Sequence, residues 1–129
     1  QLWTVDFFGQ VARCLASDGK LATYSRSASV RAAMQAVGLH IGTIPLSSST
    51  ADPPPSHEWA QGTVGAWSLA RLMPLSQMEQ EHLHTRAAIP YRDPDLKDNA
   101  ATILERHRQE QQDCTLESTS SWRRRWGIH

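Results

Sequence analysis

Lys20-Leu21-Ala22-Thr23-Tyr24-Ser25 decides the fold, because this short β-leaning run lies between two helical stripes. Before it, Leu2, Phe7, Phe8, Val11, Ala12 and Leu15 recur at helical spacing, with Thr4 placed as N-cap and Asp6 in the first turn. Ser17-Asp18-Gly19 is a turn signal between helix and strand. After the run, Ser27 or Ser29 can cap a second helix whose Val30, Ala33, Met34 and Val37 fall at i, i+3, i+4 and i+7. Gly38 stands where a glycine beyond the last turn ends such a helix. Residues 39–44 (LHIGTI) read as another strand. Helix, strand, helix, strand is the alternation of an α/β sheet.

Further along, residues 45–62 hold Ser47, Ser48, Ser49, Thr50 and Pro53-Pro54-Pro55, and read as a long extended loop. Residues 63–69 (TVGAWSL) form a third strand candidate, weakened by Gly65, which can mark a bulge. No helix is available for a parallel crossover in so polar a connection, so these last two strands should pair antiparallel. Ser76-x-x-Glu79 is a capping box that opens a helical stretch to about Ala88. Residues 89–94 form a proline-bounded connector, and Asp98 can cap a final helix carrying Ala100, Ile103 and Leu104. The expected organisation is a partial α/β domain over 1–70, a helical extension over 71–112 and a disordered tail over 113–129.

Composition narrows the function. The chain has 129 residues, 40% apolar and 20% charged, which supports one folded domain. Lys plus Arg and Asp plus Glu both number 13, excluding nucleic-acid binding by overall charge alone. Cys14 and Cys114 stand a hundred residues apart with no ligand spacing, as in a reduced, cytoplasmic protein. No apolar run reaches the roughly eighteen residues of a membrane span, so no membrane partner is expected. The glycines at 9, 19, 38, 42, 62, 65 and 127 make no G-x-G, and there is no P-loop, G-x-S-x-G or C-x-x-C. No catalytic, cofactor-binding or metal-ligating residue is therefore expected within the chain. His82 and His84, two apart, point to different faces of a helix, and Trp3 is read as a core anchor for the first helix. Three strands are few for an open sheet, and the strand at 20–25 wants a neighbour from before the first helix. The chain, which opens on Gln1, thus reads as the latter part of a longer domain, with a sheet edge that invites self-association.

A family resemblance rests on Leu2-Trp3-Thr4, Phe7-Phe8, Gly19-x-Leu21-Ala22-Thr23-Tyr24-Ser25, and Val30-Arg31 through Ala36-Val37-Gly38-Leu39. These residues resemble the S-adenosylmethionine-dependent methyltransferases that finish the methylaminomethyl group on the wobble uridine of certain tRNAs. The resemblance implies an α/β fold, the carboxyl-terminal half of a Rossmann-like methyltransferase sheet, followed by a helical extension. Residues 20–25 would be its fifth strand, and 39–44 with 63–69 its closing antiparallel pair. The implied cofactor, S-adenosylmethionine, is held in that family by segments that precede the Leu-Trp, so it is not expected to bind this chain alone. The implied partners are tRNA and the missing amino-terminal half. Thr23, Tyr24, Ser25 and Arg26, at a strand's carboxyl end, would border the substrate pocket, and Arg31 would meet a phosphate. Three positions depart from the pattern: Asp18 replaces the first glycine of a Gly-Gly turn, Arg26 replaces a small residue, and the Pro/Ser loop replaces a basic Gly-x-Lys-Arg stretch. The competing reading is a non-catalytic RNA-binding or protein-interaction module, using Trp122-Arg123-Arg124-Arg125-Trp126 as its contact surface.

Overall fold

A computed structural model describes residues 3–44, 62–69 and 72–128. The expected loop over 45–62 lies outside the described residues except for Gly62, as does Leu2. Helix α1 spans Val5–Cys14, and Thr4 caps it by accepting a hydrogen bond from the Phe7 amide at 3.0 Å. Strand β1 is Lys20–Thr23 and helix α2 is Ala28–Ala36, with Ser27 at its N-cap. Gly38 follows α2 at φ +98°, a left-handed conformation that glycine adopts without a Cβ penalty. Strands β2, His40–Gly42, and β3, Thr63–Ala66, complete a three-stranded sheet.

The sheet order is β1-β3-β2, and both neighbours run antiparallel to β3. β1 and β2 therefore point the same way, joined through α2, with the last strand inserted between them. The pairing of β2 with β3 is the antiparallel closure expected from the loop length. Gly65 is not a bulge: the register runs without a break from Lys20↔Ala66 to Thr23↔Thr63. A Cβ there would lie 3.2 Å from both Met34 Sδ and Leu39 Cδ1, so the missing side chain lets α2 settle on the central strand. Leu21, Gly65 and Ile41 share the face that meets α1 and α2. The core against that face is Phe8, Ala12, Val30, Ala33, Met34 and Leu39. Burial of such side chains contributes about 1.5–3 kcal/mol each.

The second half wraps this layer. Ser76 caps helix α3, Gln77–His82, accepting from the Glu79 amide at 3.3 Å, while Glu79 Oε1 accepts from the Ser76 hydroxyl; the helix ends at His82, short of the Ala88 expected. A 3-10 turn, Arg86–Ala88, packs on α2. Helix α4 covers Ala100–Asp113, capped by Asn99 rather than by Asp98. Asp98 instead accepts an ion pair from Arg106 at 2.8 Å.

The expected disordered tail is replaced by a docked helix. Helix α5, Thr119–Trp126, begins at Ser118, whose Oγ accepts from the Ser121 amide, and ends at Gly127 in a left-handed conformation. Trp122 explains the difference. Its ring is 1% exposed, stacks on His82 at 4.2 Å, and its indole N–H donates to Met78 O at 3.2 Å. One buried indole with its polar atom satisfied outweighs the polar character of the rest of the segment.

Candidate functional site

The end of the sheet at which ligands are expected is fixed by the chain path. Trp67, just beyond β3, donates from its indole to Leu15 O at 3.3 Å, which puts the end of α1 beside the start of β1. The start of α1 then lies with the carboxyl end of β1, the start of α2 and the start of β3. Thr23, Tyr24, Ser25 and Arg26 all stand at that end. In open α/β sheets this is where ligands bind.

Hydrogen bonds hold the segment in place. Thr23 Oγ1 accepts from the Ser25 amide at 3.2 Å, and Ser25 Oγ accepts from the Ser27 amide at 3.2 Å. Thr63 Oγ1 donates to Ser25 O at 2.7 Å and accepts from Arg31 Nε at 2.8 Å. The Arg31 guanidinium also donates to Gly62 O at 3.0 Å and pairs with Glu79 Oε2 at 2.7 Å. Glu79 in turn accepts from Ser76 Oγ. A Cβ on Gly62 would fall 2.5 Å from Thr23 O, so only glycine lets β3 enter this close beside the end of β1.

Exposure sorts the five residues. Tyr24 is 85% exposed, Arg26 is exposed, and Thr23 and Ser25 are half-buried. Arg31, expected to meet a phosphate, is 0% exposed. Burial pulls its guanidinium below the ordinary range, and Glu79 opposes that shift. All of its donors that the structure places are spent inside the protein, so its role here is to tie α2, β3 and α3 behind the border segment. Glu79 is the residue that sequence reading missed, since it was assigned only to a helix cap.

A strap from the extension reaches the same end. The Val5 amide donates to Tyr91 O at 2.8 Å, and the Asp93 amide to Asp6 Oδ2 at 2.6 Å. Helix α4 clamps this strap: Tyr91 stacks on His107 at 3.9 Å, His107 Nε2 bonds Ile89 O at 2.8 Å, and Arg106 donates to Arg92 O at 2.6 Å.

Among the described residues no glycine offers an open backbone cradle at a helix start. A nucleoside cofactor at a helix start needs a backbone cradle that a Cβ would fill. Here a Cβ on each described glycine but Gly127 would meet the chain's own atoms, and Gly127 lies at the far end of α5. A groove of about 620 Å³ opens along α4, between Ala101 and Asp113. Among the described residues no group of three or more His, Cys, Asp or Glu is placed for a metal, and no helix is long and apolar enough to cross a membrane.

Residues 1–48 match the family model described as S-adenosyl-L-methionine-dependent methyltransferase. The resemblance to that methyltransferase family is shown. The crystal structure of MNMC2 from Aquifex aeolicus superposes with a TM-score of 0.72 at 24% identity, covering 88% of this chain. That likeness shows the fold, a mixed α/β arrangement. The chain spans 34% of the length of the MNMC2 chain. No curated protein matches it.

Proposed function

We propose that this chain is the acceptor-side part of an S-adenosylmethionine-dependent methyltransferase, one that methylates the aminomethyl nitrogen of a modified wobble uridine in tRNA. The observation that carries the reading is β3 threaded between two co-directional strands, in a chain whose first 48 residues match a methyltransferase family. The methyl donor is then held by residues outside the described ones, and the enzyme works in the cytoplasm, where its tRNA is. Thr23, Tyr24, Ser25 and Arg26 border the acceptor. The open ring of Tyr24 offers a stacking face to an unpaired base, and the exposed guanidinium of Arg26 suits a phosphate. The edge of β1 that has no strand beside it among the described residues takes either the amino-terminal half of the sheet or a second copy of the chain.

The test is methyl transfer from labelled S-adenosylmethionine to tRNA bearing 5-aminomethyl-2-thiouridine, catalysed by the full product of the gene. Label on the aminomethyl nitrogen supports the reading. Tyr24→Ala should raise KM for tRNA several-fold without changing stability, since the ring is solvent-exposed. Titration of the 129-residue chain alone with the cofactor should give no saturable heat. Absence of methyl transfer by the full product, or micromolar cofactor binding by this chain, overturns it.

A further inference from the structure

We propose that Arg123 and Arg124 of α5, with Arg86 flanking the start of that helix, form a phosphate-binding tract that takes the backbone of RNA. The choice of RNA over another polyanion rests on the tRNA reading above; the tract itself rests on how α5 is docked.

Sequence alone offers the whole Trp-Arg-Arg-Arg-Trp string as a contact surface, and docking divides it. Trp122 is consumed as the anchor, with its ring against His82 and its N–H on Met78 O. Arg125 is consumed too, forked onto both oxygens of Glu117 at 3.0 and 2.7 Å and reaching Glu81 at 2.7 Å. Arg123 and Arg124 are left exposed in the last turn, and neither makes an ion pair among the described residues. Arg86 is also exposed and flanks the start of this helix, its amide 2.9 Å from Glu117 O. Arg125 offsets part of the charge of Glu81 and Glu117, the two carboxylates it holds at the root of the helix.

On and just before α4, Asp95, Asp98, Glu105, Glu110 and Asp113 outnumber Lys97, Arg106 and Arg108, so that side of the chain is the more acidic one. Guanidinium groups are well suited to phosphate, and each phosphate contact makes binding depend on salt.

The test is fluorescence anisotropy of the full chain with an unmodified tRNA transcript across a range of salt concentrations. Arg123→Gln/Arg124→Gln should weaken binding about tenfold and lower the slope of log K against log salt by about two. Lys97→Gln/Arg108→Gln, the same charge change on the acidic side, should bind as the parent does. If the double variant loses the near-ultraviolet circular dichroism of Trp122, the single variants carry the test, each lowering the slope by about one. No binding by the parent chain, equal loss in both double variants, or binding to polyglutamate in place of tRNA overturns the proposal. No methyl donor enters this assay. Binding without methyl transfer by the full gene product therefore removes only the methyltransferase reading, and methyl transfer unaffected by the α5 variants removes only the tract.

Discussion

Arg31 and Glu79 are each 0% exposed and meet at 2.7 Å, with Thr63, Gly62 and Ser76 taking up the remaining polar atoms. Removing one partner of such a pair strands the other charge out of water. Glu79→Gln should therefore cost about 3–5 kcal/mol in urea denaturation, while Arg31→Met/Glu79→Leu should recover most of that loss. The pair could not be read from the sequence, because its members lie 48 residues apart and each has a routine local explanation. His82 was legible only as a residue that does not ligate metal. Burial pushes its pKa down to about 4; the charges of Arg31 and Arg123 add to the shift and Glu79 opposes it. The unfolded chain binds that proton near pH 6.5, so stability is full above about 6.5 and falls as pH drops towards 4. Solvent screening at the partly exposed ring reduces the loss from this residue to about 1–2 kcal/mol at pH 4. Denaturation midpoints at pH 7 and pH 4.5 should converge in His82→Phe, which keeps the stack on Trp122 and removes the titration.

Among the elements, those with a local signature were readable and those made by distant contacts were not. Thr4, Ser27, Gly38 and the Ser76–Glu79 box mark helix ends because capping is chemistry within a few residues. α5 was missed although Ser118 and Gly127 bracket it, because its stability comes from one indole seated on another helix. Trp122→Ala should cost about 3–5 kcal/mol or free the helix outright. Hydrogen exchange would then rise over residues 119–126 while α2 stays protected, which distinguishes local release of α5 from global unfolding.

For the molecule as a whole, β1 has β3 on one side and no strand on the other among the described residues. Such an edge invites pairing with another chain. Static light scattering should show mass rising with concentration for the 129-residue chain, and Ala22→Lys, a charge on the edge strand, should suppress it. Concentration-independent monomer mass would mean that the edge is already covered.

The order of the strands also bears on how the protein is made. β1 and β2 leave the ribosome first but never touch; each waits for residues 63–66 to supply its hydrogen bonds. Among the described residues, a nascent chain halted before Thr63 carries both helices of the core and no strand pairing. Protection of β1 against a protease during translation should accordingly appear in one step, only after Ala66 has cleared the exit tunnel.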